Sequence, residues 1–259
     1  MIIAVFGDVH GALDRMYLLC KQWETRTGNT IDHVLQIGDI GAFPDKNNVD
    51  RATRRHAERD PTELGTSDYL QGLKRASHHT IFIAGNHEDF DFLKEHENQT
   101  VDPAGQMFYL ATGRPIELAS GDEVVRVVGF GGTHPITTKR KKLEAGLGRK
   151  YHGPDEAAKL LALTATHFDI LLTHDGPAGK ELESTHGPAA GSPEVAKVIA
   201  ALQPRFAFFG HYGNPPAPFT VGKTMVIPMN NSAALSVRHR DGAMGILDTE
   251  TWHFEFVKP

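Results

Sequence analysis

Five short apolar runs along this chain end in the same way. Ile2 to Phe6 run into Gly7-Asp8-Val9-His10-Gly11, and His33 to Ile37 run into Gly38-Asp39. Thr80 to Ala84 run into Gly85-Asn86-His87-Glu88, Phe168 to Thr173 into His174-Asp175-Gly176, and Phe206 to Phe209 into Gly210-His211-Tyr212-Gly213. Short, nearly continuous apolar runs closed by glycine predict strands buried on both faces. Between them the apolar spacing becomes helical. Leu13, Met16, Tyr17, Cys20 and Trp23 mark a helix over 12–25, and Phe90, Phe92 and Leu93 begin another. A short helix is expected over 68–76. Pro154-Asp155-Glu156 opens a helix over 154–166, and Ser192-Pro193-Glu194 caps and starts one more. Strands alternating with helices predict an α/β fold.

The remaining pattern is β-like or polar. Residues 106–130 read as three strands, MFYLA, PIELA and EVVRVVGF, feeding a sheet in the middle of the fold. After the stiff 214–218 turn, FTVGKTMVIPMNNS, ALSVRHRDGAMGILDTE and TWHFEFV alternate like antiparallel strands, expected to close the second sheet around an Asp241-Gly242 hairpin turn. The polar stretch 43–68 predicts a solvated, partly helical excursion, or a rim whose Arg51, Arg54, Arg55 or Arg59 grips a phosphate. Gly129, Gly131 and Gly132 open a loop carrying Lys139, Arg140, Lys141, Lys142, Arg149 and Lys150, either a solvated face or a substrate lid. A Gly/Pro-rich loop over 176–193 holds Ser184 and His186 near the opening. No linker or repeat divides the chain, so one domain is expected over 1–259.

The strand ends carry the chemistry. Just past a strand, residues two apart project the same way, so Asp8 and His10 can converge on one point and form half of a metal site. Asp39, Asn86, His174 and His211 arrive at corresponding ends, where open α/β sheets bind ligands.

These blocks, in this order over residues 1 to about 213, resemble the calcineurin-like metallophosphoesterase superfamily. The resemblance implies a four-layer α/β/β/α sandwich with two mixed sheets and a dinuclear metal site at the strand carboxyl ends. It implies Asp8, His10 and Asp39 on a first metal, and Asp39 (bridging), Asn86, His174 and His211 on a second. It puts His87 beside the scissile phosphate. Two departures stand out. Many members end in Gly-His-x-His, and here Gly213 occupies the last place, with Tyr212 and Asn214 poor substitutes by position; the phosphoprotein-phosphatase branch lacks the same His. That branch also carries an Asp and an Arg after its Gly-Asp block, where this chain reads Ile40-Gly41-Ala42-Phe43. A first site short of one imidazole favours Mn²⁺ or Fe, with Zn²⁺ the alternative. His87 needs an acceptor for its second ring nitrogen, and Asp45, Glu88 and Asp89 are the candidates.

Composition narrows the setting. A chain of 259 residues, 40% hydrophobic, can bury one sizeable core. The lone Cys20 cannot form an internal disulfide and suits a reducing interior. With no leader before the first strand and no apolar run of membrane length, a cytoplasmic protein away from membranes is expected. A net charge of −5 exerts no general pull on nucleic acid, which is expected only as a substrate. Fifteen His exceed what one centre uses, so His56, His78 and His239 read as ordinary surface or core residues.

The function expected is metal-dependent hydrolysis of a phosphomonoester or phosphodiester by in-line attack of a hydroxide. His87 would protonate the departing alkoxide or stabilise charge on phosphorus-bound oxygens. Two alternatives are a nuclease or RNA-debranching phosphodiesterase and a non-catalytic scaffold on the same fold. The GFGG entry and the later Arg149-Lys150-x-His152 resemble the recognition loop of lariat-debranching enzymes. Substrate, metal identity and oligomeric state stay open.

Overall fold

The computed structural model describes residues 1–135, 150–231 and 241–258. Six strands form the first sheet, in the order β12-β11-β1-β2-β3-β4. They are β1 (Ile2–Phe6), β2 (His33–Gln36), β3 (Thr80–Phe82), β4 (Met107–Tyr109), β11 (Met244–Asp248) and β12 (His253–Phe256). The second sheet has the order β5-β6-β7-β8-β10-β9. Its strands are β5 (Pro115–Ser120), β6 (Glu123–Phe130), β7 (Ile170–Thr173), β8 (Phe206–Phe209), β9 (Phe219–Val221) and β10 (Thr224–Pro228). Both sheets are mixed: β1 to β4 are mutually parallel, as are β6, β7, β8 and β10, and the flanking pairs are antiparallel.

The helices are α1 (Leu13–Thr27), α2 (Arg51–Ala57), α3 (Thr66–Leu70), α4 (Phe90–Glu95), α5 (Pro154–Leu161), α6 (Lys180–His186) and α7 (Pro193–Leu202), with a 3₁₀ turn at Pro61–Leu64. None of the described helices is long and apolar enough to cross a membrane.

The period of two along each strand sorts the core into layers. Ala4 and Phe6 of β1 face Leu13, Met16 and Cys20 of α1, while Ile3 and Val5 face the other way. There they meet Val125 and Val127 of β6, Ile170 and Leu172 of β7, and Phe206 and Phe208 of β8. On the far side of the second sheet, Leu171, Ala207 and Phe209 pack against Leu160 of α5 and Val195, Val198 and Ile199 of α7. The product is helices, sheet, sheet, helices: the four-layer α/β/β/α sandwich.

Several local expectations change. β4 joins the edge of the first sheet, parallel to β3, and the crossing into the second sheet falls at the Thr112-Gly113 turn. The C-terminal strands divide between the sheets. β10 lies parallel to β8, whereas β11 returns antiparallel to β1, with Ala4 opposite Ile246. β11 is apolar on both faces, Ile246 filling the helix-facing core and Leu247 the inter-sheet core, so it fits in the interior of a sheet. The 68–76 helix is instead α3 at 66–70, α5 stops at Leu161, and the 176–193 loop contains α6. The basic positions 139–142 and 149, and the strand expected before Asp241-Gly242, lie outside the described residues.

Candidate metal centre

The carboxyl ends of β1, β2 and β3 meet those of β7 and β8 along one edge of the sandwich, and the turns there are unusually tight. His10, Asp39 and His211 adopt left-handed backbone conformations, with φ of 43°, 54° and 68°. For residues with a Cβ this costs on the order of 1–3 kcal/mol each and persists only where surrounding structure enforces it. The enforcing contacts are visible: His10 N–H donates to the Asp39 carbonyl at 2.8 Å, and His211 N–H donates to Asp8 Oδ1 at 3.0 Å. Two glycines explain the Gly-ligand spelling of the sequence. A Cβ on Gly85 would fall on the Asp39 carboxylate, and one on Gly210 would fall on Asp8 Oδ1.

Asp39 is the hub. It is buried, and its Oδ1 accepts the backbone N–H groups of Asn86 and His87 at 2.6 and 2.8 Å. Its Oδ2 faces His174 Nε2 at 3.5 Å and His10 Nε2 at 3.9 Å. Asp8 Oδ2 lies 4.0 Å from the same His10 nitrogen. The His174 and His211 rings stand edge to face, 5.1 Å between centroids. Two groups able to hold a cation therefore share Asp39: Asp8, His10 and Asp39, and Asp39, His174 and His211, the ligand atoms within each lying no more than 4.8 Å apart.

The donor set fits metal cations. The fully buried His174 donates from Nδ1 to the Ile37 carbonyl at 2.9 Å, which leaves Nε2 facing Asn86 Oδ1 at 3.2 Å and Asp39 Oδ2. A lone pair there would oppose two acceptors, so a positive charge must sit on or beside Nε2. Without a metal a proton serves. Burial works against it, but the charge and hydrogen bond of Asp39, aided by Asp8, carry the His174 pKa up to about 10.

His87 stands at the rim, its ring centroid 5.7 Å from that of His10. Its partner is none of the three carboxylates read from the sequence. Nδ1 lies 3.0 Å from Asp50 Oδ2, and Asp50 also caps α2 by accepting from Ala52 N–H and Thr53 N–H. Burial opposes charge on both groups. The His87–Asp50 hydrogen bond outweighs it, raising the His87 pKa and holding Asp50 well below the usual carboxylate range. Asp45 instead binds Asn47 N–H, and Asp89 caps α4. Glu88 is buried beneath the centre, where it accepts from Ile40, Ala42 and Gly85 N–H.

The excursion over 43–68 thus belongs to the centre through carboxylates rather than arginines. Arg51, Arg54, Arg55 and Arg59 are exposed, whereas Glu63 is buried with its carboxylate 3.8 Å from His10 Nδ1. An Asp preceding a helix was the available signal for Asp50. Nothing in the spelling of Glu63 marked it. Tyr212 packs its ring against His211 and donates its hydroxyl proton to Asp175 Oδ1 at 2.7 Å. A cavity of about 540 Å³ opens over the site, lined by Asn86, His87, His134, Lys150, His211 and Tyr212 among others. A larger cleft of about 1060 Å³ runs along α4 and α5 and touches none of the six candidate ligands.

Against known proteins, residues 1–215 match the family model for calcineurin-like phosphoesterases. The chain belongs to that family, whose members use two metals. Curated relatives include lariat debranching enzymes of Entamoeba histolytica (24% identical, over 81% of this chain and 63% of the relative), Danio rerio (28%, 82% and 40%) and Arabidopsis thaliana (25%, 82% and 54%). The chain thus spans roughly half the length of the relatives it matches. Among solved structures, TT1561 of Thermus thermophilus aligns with a TM-score of 0.60 at 17% identity, over 99% of this chain and 97% of that one. A phosphatase from Mycoplasma pneumoniae aligns at 0.52 and 14%, over 99% and 92%. These likenesses bear on the fold alone.

Proposed function

We propose that this chain is a metal-dependent phosphoesterase whose preferred substrate is a phosphodiester in RNA. The observation that carries the reading is the meeting of Asp8, His10, Asp39, Asn86, His174 and His211 from both sheets around one carboxylate, with the proton-bearing His87 at the rim. Asp8, His10 and Asp39 would hold one cation; Asp39, Asn86, His174 and His211 would hold the other. The two-carboxylate, one-imidazole first site favours Mn²⁺ or Fe over Zn²⁺. Two such cations, when bound, make a nucleophile from water near neutral pH and draw charge from the phosphoryl oxygens.

The chain's own residues do the rest. Asp39 orients Asn86 and His87 through their backbone N–H groups. Asp50 accepts from His87 Nδ1 and its charge favours the imidazolium, whose Nε2 proton is the one delivered to the departing oxygen. The diester preference is supported by the debranching relatives and by a cavity roomier than one phosphate needs, with Lys150 on its wall. The lone, buried thiol of Cys20 is in keeping with a cytoplasmic setting.

The test is hydrolysis of bis-p-nitrophenyl phosphate, p-nitrophenyl phosphate and a 2′,5′-branched RNA oligonucleotide with Mn²⁺, Fe²⁺ or Zn²⁺, beside Asp39→Asn and His87→Ala. Metal-dependent cleavage of the diesters, lost in both variants, is expected. Preference for the monoester would overturn the diesterase reading. Absence of both turnover and bound metal would overturn the enzyme and leave the scaffold.

A further inference from the structure

A second cluster of metal-binding side chains lies outside the reaction centre. His134, His152 and Glu194 each offer one ligand atom, and the three atoms lie within 4.8 Å of one another. They come from separate places: His134 follows the glycine turn after β6, His152 precedes α5, and Glu194 sits in the first turn of α7. The backbone locks the first two together, because Thr133 N–H donates to the Lys150 carbonyl and His152 N–H donates to the Thr133 carbonyl, each at 3.0 Å. His134 N–H is held by Asp175 Oδ2 at 2.7 Å.

The hydrogen bonds around the cluster turn its ligand atoms toward one another. His152 Nδ1 donates to the Gly131 carbonyl at 3.2 Å, so its Nε2 carries a lone pair, and burial lowers the pKa of the ring and keeps it neutral. That Nε2 faces Ser192 Oγ at 2.7 Å, and Glu194 Oε2 faces the same hydroxyl at 3.3 Å. Ser192 has one proton and cannot satisfy both. His134 Nδ1 is sealed from solvent and lies 2.9 Å from Glu194 Oε2, yet it makes no hydrogen bond among the described residues. Two imidazole nitrogens and a carboxylate oxygen thus converge within 4.8 Å of one another, with the Ser192 hydroxyl shared between two of them. One imidazole is already anchored through its other nitrogen to a carbonyl, as metal-bound histidines commonly are.

We infer that His134, His152 and Glu194 form a third cation site, of His₂-carboxylate type and suited to Zn²⁺, that ties the wall of the cavity to α7. Two imidazoles and one carboxylate suit Zn²⁺ and leave a fourth position for water beside Ser192. His134 lines the cavity over the reaction centre, so the bound ion fixes the position of that wall without touching the reacting atoms. The site goes beyond the phosphoesterase reading and does not rest on it.

The test is metal content per chain by mass spectrometry after equilibration with Zn²⁺ and desalting. Glu194→Gln, which keeps the side-chain shape, is expected to lose one equivalent relative to the parent chain. His134→Ala, at a partly exposed ring, is expected to lose the same equivalent. The comparison is repeated on the Asp39→Asn, His211→Ala background, where the reaction centre is disabled. There Zn²⁺ is expected to raise the melting temperature, and Glu194→Gln to abolish that rise. Equal metal content with and without Glu194→Gln and His134→Ala in both backgrounds would overturn the site. If the reaction centre binds no metal at all, the parent chain still retains one equivalent that Glu194→Gln removes, so failure of the two readings is distinguishable.

Discussion

His87 Nδ1 and Asp50 Oδ2 lie 3.0 Å apart, although the two residues come from unrelated turns, one after β3 and the other at the cap of α2. The carboxylate serves two structures at once. It satisfies the first N–H groups of a helix and fixes the ring that faces the cavity.

Replacing Asp50 by Asn removes the charge that holds the proton on His87. Loss of such an orienting partner typically costs about 10–100-fold. Asp50→Asn is expected to lower kcat by that order, with KM and metal content little changed. The sign with pH follows from the raised His87 pKa: an acid that must be protonated works below its pKa and fails above it. The alkaline fall of kcat should therefore move to lower pH in Asp50→Asn, and a full pH–rate profile of both proteins checks it. An unmoved limb would remove His87 from the proton transfer.

Glu88 is buried and takes the N–H groups of Ile40, Ala42 and Gly85, the backbone that frames Asp39. Burial, with Asp39 nearby, pushes its own pKa up to about 8. Glu88→Ala strands three buried donors at about 1–3 kcal/mol each, so a loss of roughly 3–5 kcal/mol is expected. For a chain of this size that is a fall in Tm of about 10 °C, read by calorimetry. Glu88→Gln retains one acceptor and should fall less.

Gly213 occupies the place where many family members carry the last His, and among the described residues a Cβ there meets nothing within 4 Å. The backbone leaves room for a side chain. Gly213→His is expected to tighten binding at the first site by on the order of tenfold, about 1.4 kcal/mol, and to shift its preference toward Zn²⁺. Competition titration against a chelating dye measures both effects.

Away from the centre, His33 Nδ1 and His79 Nδ1 stand 3.0 Å apart between β2 and the start of β3. Burial lowers the pKa of both, and His79 lowers that of His33 further. The unfolded chain protonates near pH 6.5, before the folded one does, so the pair's stability is full above that pH and lost as pH falls through it. Tm should drop between pH 7.5 and 5.5, and His79→Gln should flatten the drop.

Much of the fold and of the centre was legible in the chain alone, for a local reason. A strand buried on both faces is mostly apolar, and the residues just beyond its carboxyl end are placed where the site forms. The six candidate ligands could therefore be read from Ile2–Phe6 and its four counterparts. Even the glycines before Asn86 and His211 were legible as letters, though their reason was not: they clear space for Asp39 and Asp8, distant in sequence. What the tertiary structure decided depends on pairing across distance. β11 joins β1 because both are apolar on two faces, a match that local alternation cannot assign. Asp50 and Glu63 read as members of a polar excursion until folding set them against His87 and His10. A carboxylate's role is fixed by what it faces, and that is a property of the fold.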